Sequence, residues 1–184
     1  NQVWFDRRGC GHRASLSQLL DKNGREFNPV QAGGSMFEEG SYPLLPIIKL
    51  MGTEYLSLDF YSRMEDGIDV YTHGIFHYPK ATCSFKVGLG VKTEGDLDRF
   101  GNQRVCLRPS PWWKTDYFEL RYEDQNENKK YFISGTGMAE VRNTRIHKLH
   151  HKRTLFVSPV AQERSICMAQ VMEQFAERKN FVTI

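Results

Sequence analysis

Residues 82–91 read TCSFKVGLGV. Cys83, Phe85, Val87, Leu89 and Val91 occupy every second position, with Thr82, Ser84, Lys86, Gly88 and Gly90 between them. Side chains alternate across an extended chain, so this spacing predicts a strand with one apolar face. Glycine weakens a strand unless a bulge or another backbone comes close, which marks Gly88 and Gly90 as points of approach.

The same two-residue rhythm extends in both directions. In EYLSLDFY, residues 54–61, Leu56, Leu58 and Phe60 alternate with Ser57 and Asp59. The turn formers MEDG and a second alternating run, IDVYTH, make residues 55–73 a hairpin. QRVCLR adds a short strand, and DYFELRY with KKYFIS flank the polar loop 124–128 as a second hairpin. GMAEVR and RTLFV contribute two more strands.

The ends of the chain read differently. SLSQLLDKNG, residues 15–24, offers Ser15 as a cap with Gln18 three positions on, and Asn23-Gly24 as a stop. Leu16, Leu19 and Leu20 give it a greasy side, so a short N-terminal helix is expected. NPVQAGGSMFEEGSYP, residues 28–43, is rich in Gly, Ser, Pro and Glu and reads as a mobile loop. Near the other end, Ser158 can cap and Pro159 suits a first helical position. Ile166, Cys167, Val171, Met172 and Phe175 then form an apolar stripe at helical spacing, and FVTI follows as an edge strand.

These elements predict an α+β protein, mainly an antiparallel β sandwich or partly closed barrel, with a short N-terminal helix and a C-terminal amphipathic helix. Counting elements alone, a barrel plugged by a terminal helix also describes the pleckstrin-homology architecture. Residues 1–49 are expected as an extension with a short helix and mobile loop, and 50–184 as a β-rich domain closed by the last helix.

Composition bounds the function. The 184 residues carry a formal charge of +3, too little excess by itself to imply nucleic acid. The longest apolar run, YPLLPII, is far too short for a transmembrane segment. Starting at NQVWFD without Met, the chain is expected to be a processed product or a piece of a longer protein. Cys10, Cys83, Cys106 and Cys167 lack the spacing of a stapled domain, which favours a reducing compartment.

The densest chemistry lies in RNTRIHKLHHKR. His147, His150 and His151 could converge on a metal, but Arg142, Arg145, Lys148, Lys152 and Arg153 raise the electrostatic cost of adding a cation. The same side chains suit an anionic partner, and equally a solvated loop. In RPSPWWKTDYFELRY, one of Trp112 and Trp113 can be buried while its neighbour anchors a partner. DRRGCGHR sets Cys10 beside His12 among arginines, the material of an activated thiol, although nearness in sequence is no evidence of contact. His73 and His77, four apart on a strand, stand too far from each other for one ion. Glu38-Glu39 and Glu65-Asp66 fall in expected loops. No P-loop, dinucleotide fingerprint, His-Glu-x-x-His or Gly-x-Ser-x-Gly occurs.

The resulting expectation is a non-catalytic binding or assembly module without a cofactor or metal. Its surface would comprise Arg142, Arg145, His147, Lys148, His150, His151, Lys152 and Arg153, with Trp112 and Trp113. Its partner would be a protein first, then RNA or DNA, then an anionic membrane surface. The alternatives are a structural subunit of a viral or organellar particle, and a thiol-dependent or hydrolytic enzyme with residues on loops.

Overall fold

The computed structural model describes residues 11–132 and 159–184. Nine strands form one sheet: β1 (Gly11–Gln18), β2 (Ser57–Glu65), β3 (Ile68–Tyr78), β4 (Ala81–Leu89), β5 (Leu97–Phe100), β6 (Arg104–Arg108), β7 (Tyr117–Tyr122), β8 (Lys129–Phe132) and β9 (Phe181–Thr183). Their order is β8-β7-β6-β5-β1-β4-β3-β2-β9. Among the described residues three helices accompany them: α1 (Ser35–Glu39), α2 (Ser41–Met51) and α3 (Pro159–Ala176).

The sheet is mixed and, among the described residues, open at both edges, so the expected sandwich or barrel is not what forms. β1 runs parallel to β4 and β9 parallel to β2, while the remaining pairs are antiparallel. Alternation reports how many strands there are and which faces they bury. It does not report whether a sheet closes on itself.

The decisive correction concerns residues 15–24. The predicted N-terminal helix is absent, and Gly11–Gln18 is the fifth of the nine strands. Ser15 and Ser17 do not cap a helix. Ser15 Oγ accepts the Asp96 amide at 3.0 Å, and Ser17 Oγ accepts the Thr93 amide at 2.6 Å. The two serines therefore satisfy the backbone of the loop between β4 and β5, work that a capping serine does at a helix end. The 49/50 boundary falls inside α2, and the segment before it supplies this central strand.

Residues 28–43 also depart from the expected loop. After a short 3-10 turn at Pro29–Gln31 they form α1 and the start of α2. Pro43 lies in the first turn of α2, where its missing N–H takes nothing from the helix. Met36, Leu44, Ile47 and Ile48 are buried against Phe60, Phe76, Phe85 and Val87 of the sheet. Cys167, Val171 and Phe175 of α3 complete the core, with Phe175 set edge-on to Phe60 at 5.3 Å. Each such large side chain removed from water contributes about 2–3 kcal/mol. Ile166, expected in the apolar stripe, is exposed. FVTI supplies β9, seated on β2 at the sheet edge. No helix among the described residues is long and apolar enough to cross a membrane.

All three helices cover the same side of β1–β4. His12, Ala14 and Leu16 share that side with their β4 partners Cys83, Phe85 and Val87. The other side carries Arg13, Ser15 and Ser17 beside Ser84, Lys86 and Gly88.

Candidate functional site

The helix-bearing side holds two concentrations of polar chemistry. The first lies along α1 and α2, which are separated only by Gly40 in a right-handed helical conformation. Glu38, Tyr42, Leu45 and Lys49 recur at helical spacing on the face turned away from the core, and Tyr42 and Leu45 are about half exposed. The Glu38 carboxylate accepts a two-pronged bond from Arg25, at 2.7 and 2.9 Å. Glu39 points inward. It is buried, its Oε2 has no hydrogen-bond partner, and burial, with Glu38 beside it, raises its pKa. A carboxyl group in that state holds a proton more readily than one in water, a property shared by acid–base groups.

The second concentration surrounds His12. Its ring is buried, neither nitrogen has a hydrogen-bond partner, and burial followed by the charge of Arg99 pushes its pKa down to about 4. Arg99 of β5 stands opposite His12 on one side and Cys106 of β6 on the other. Burial raises the Cys106 thiol despite the nearby charges of Arg99, Arg104 and Arg108, so it is neutral and no activated nucleophile.

A third feature, a cavity of about 450 Å³ lined by Lys22, Arg63, Glu65, Tyr71 and Ile184, lies at the end of β2–β4. There both cations already face Glu65.

The sequence-derived binding residues divide into two groups. Arg142, Arg145, His147, Lys148, His150, His151, Lys152 and Arg153 lie outside the described residues, as does Cys10. Trp112 and Trp113 are half-buried, edge to face at 5.8 Å. The Trp112 indole donates to the Ser15 carbonyl at 3.1 Å, and Trp113 rests on Gly95, where an added Cβ would lie 2.7 Å from the ring. His73 and His77 sit on β3, with His77 Nε2 at 2.9 Å from Asp59. Among the described residues no three metal-binding side chains cluster.

Sequence reasoning placed Glu38-Glu39 in a loop, where the structure has α1, and missed Tyr42 and the arginines around Cys106. The signals were present: Met36, Leu44, Ile47 and Ile48 keep helical spacing through the supposed loop, and Arg104, Cys106 and Arg108 alternate in a strand.

No protein-family model matches the sequence, and no curated protein matches it. Solved structures do match in fold. A 3-ketoreductase from Actinomadura kijaniata in complex with NADP and TDP-benzene aligns over 95% of this chain and 55% of its own, with a TM-score of 0.75 at 9% identity. Its open conformation gives 0.71 at 12% identity, over 95% and 53%. An NAD-binding oxidoreductase from Klebsiella pneumoniae gives 0.67 at 10% identity, over 92% and 57%. The chain thus spans just over half the length of these proteins, and at such identities the likeness establishes the fold. These matches replace the expected β-sandwich assembly module. Neither its particle-subunit alternative nor its thiol or hydrolytic alternative finds support among them.

The NADP held in the ketoreductase structures needs a phosphate cradle, normally a glycine-rich turn from a strand into a helix N-terminus. Gly33-Gly34 before α1 resembles one, but the place is taken. Asp69 Oδ2 accepts the Ser35 hydroxyl at 2.6 Å and the Met36 amide at 2.8 Å. A pyrophosphate does not fit against that buried carboxylate.

Proposed function

We propose that this chain forms the substrate-facing sheet of an NAD(P)-dependent oxidoreductase that interconverts a carbonyl and an alcohol. The observation carrying this reading is the shared fold, extending over 95% of the chain, with a ketoreductase solved with NADP. A nicotinamide dinucleotide would supply the hydride, and among the described residues Gly33-Gly34 does not form its phosphate cradle.

The contribution of this chain is the proton and the wall. A carbonyl oxygen that gains negative charge as it is reduced needs a donor within hydrogen-bond reach, and a phenol can serve. Tyr42 stands on the outward face of α2, half exposed, with Leu45 beside it as apolar surface. The Arg25–Glu38 pair fixes the preceding turn of the helix. Glu39 lies three residues before Tyr42, at the spacing of neighbours on a helix surface.

The test is cofactor turnover by the intact protein that carries this chain, with a panel of aldehydes, ketones and keto sugars, followed through loss of NADPH or NADH absorbance. Tyr42→Phe is expected to lower kcat by about 10²–10⁴, with a smaller effect on KM and an unchanged circular dichroism spectrum. Absence of any carbonyl-dependent oxidation of either cofactor overturns the reading. Full kcat in Tyr42→Phe removes the tyrosine from it.

A further inference from the structure

Beyond the helical cover, the helix-bearing side of β5–β8 is one-signed. Strand alternation and register place Arg99, Arg104, Arg108 and Lys129 on it, and none of the strand residues sharing that side is acidic. Arg99 pairs with Cys106, and Arg104 and Arg108 lie two residues to either side of that cysteine. At strand rise each is about 7 Å along the strand from it, so three guanidinium groups surround one small neutral side chain.

The arginines are held in place. Arg104 Nη1 donates to the Tyr122 hydroxyl at 3.2 Å, and Arg108 Nη2 donates to the Thr115 carbonyl at 3.2 Å. Arg108 Nε is shielded from water without a hydrogen-bond partner. His12, next in the row beyond Arg99, is 2% exposed with both ring nitrogens unpartnered. Groups that have given up water without gaining a partner cost stability, and a ligand can supply what they lack.

We propose that Arg99, Arg104 and Arg108, grouped around Cys106 with His12 at one side, bind the phosphate of a phosphorylated substrate. The inference rests on the oxidoreductase reading for the word substrate, while the anion site follows from the sheet itself. A dianion relieves the mutual repulsion of three like charges, and its tetrahedral oxygens accept from several forks at once, whereas a carboxylate is matched by one. His12 is neutral near pH 7 and can hydrogen-bond an oxyanion without adding to that repulsion.

The probe is inorganic pyrophosphate, titrated into the chain at constant ionic strength, with phenyl phosphate and benzoate compared alongside. Binding is read from the thermal midpoint and from the rate at which N-ethylmaleimide labels Cys106, resolved by peptide mass. Saturable pyrophosphate binding that slows Cys106 labelling is expected, with phenyl phosphate preferred over benzoate. Arg99→Gln and Arg108→Gln are expected to weaken it by roughly ten- to a hundredfold, the loss of one charge-assisted contact. Arg121→Gln, on the opposite side of β7, leaves it unchanged.

Non-saturable binding, equal weakening by Arg121→Gln, or a preference for benzoate overturns the proposal. Should an arginine variant fail to fold, protection of Cys106 in the unaltered chain still decides. Pyrophosphate binding without any carbonyl turnover sinks the oxidoreductase reading and leaves the anion site standing. Turnover without pyrophosphate binding sinks the anion site alone.

Discussion

Asp69 of β3 accepts the backbone amide of Met36 at 2.8 Å, so the first turn of α1 is tied to the sheet through a buried carboxylate. The same oxygen accepts the Ser35 hydroxyl at 2.6 Å and the Thr72 hydroxyl at 2.8 Å. A helix of five residues has too few internal bonds to stand by itself, and this acceptor supplies what it lacks.

Asp69→Ala strands the Ser35 hydroxyl and the Met36 amide, and takes one of the two partners of the Thr72 hydroxyl, which also bonds Ser62 at 2.8 Å. Each abandoned group costs about 1–3 kcal/mol, partly recovered by relaxation, so a loss of about 3–4 kcal/mol is expected. Urea unfolding measures it. Serine and threonine contribute less individually, so Ser35→Ala is expected to lose about 1 kcal/mol, and Thr72→Val about 1–2 kcal/mol because the buried Ser62 hydroxyl also loses its partner. A loss for Asp69→Ala no greater than theirs would mean that α1 is held by packing alone.

His12 sets an acid limit. Its pKa is pushed down to about 4, first by burial and then by Arg99. The unfolded chain takes up a proton near pH 6.5, while the native imidazole resists it, so this contribution is complete above that value and fades as pH falls towards 4. His12→Leu abolishes the titration. Between about pH 7.5 and about pH 4.5, the unaltered chain is expected to lose roughly 2–3 kcal/mol more than this variant. Parallel stability curves would show that the native ring is protonated as easily as the unfolded one.

Gly74 faces Phe85 across the β3–β4 pair, and a Cβ built there would lie 2.1 Å from the ring. Phe85 is fully buried and touches Phe60 and Phe76, so it has little room to withdraw. Gly74→Ala is expected to cost about 2–3 kcal/mol in urea unfolding. Combined with Phe85→Leu, the loss should fall short of the sum of the single variants, because the clash and the ring disappear together. Strict additivity would place the strain elsewhere.

Much of the sheet was legible because TCSFKVGLGV, IDVYTH and SLDFY each bury one face, and burial on one face writes itself as alternation. β1 was not legible, for a reason its neighbours expose. Ser15 and Ser17 are buried polar residues whose hydroxyls serve a loop some eighty residues away, and locally the same letters spell a helix cap. With that strand misread, the parallel pairing to β4 disappeared, and the remaining hairpins suggested closure. The α1–α2 segment was masked by Gly33, Gly34, Pro43 and Pro46, although its buried positions kept helical spacing. Arg99 and Cys106 become neighbours only through register, which no local pattern reveals.

Glu39 supplies the last prediction, and it runs opposite to His12. Burial, reinforced by Glu38, raises the pKa of its carboxyl, whose Oε2 lacks a hydrogen-bond partner. The native state therefore keeps a proton that the unfolded chain has already released. Stability from this group is present below the ordinary glutamate value and is lost as pH rises through the native one. Glu39→Gln has nearly the same shape and never ionises, so it is expected to match or exceed the unaltered chain near neutral pH and to surrender that advantage towards pH 4. Urea midpoints collected from about pH 4 to about pH 8 test the direction, since linkage fixes the sign of the slope. The variant also separates stability from turnover. If Glu39 only underlies the helix, Glu39→Gln leaves the pH profile of kcat in place; if it assists the Tyr42 proton, the profile shifts while the fold holds. Urea midpoints that decline with pH equally in both proteins would mean that the carboxyl ionises as freely in the native chain as in the unfolded one.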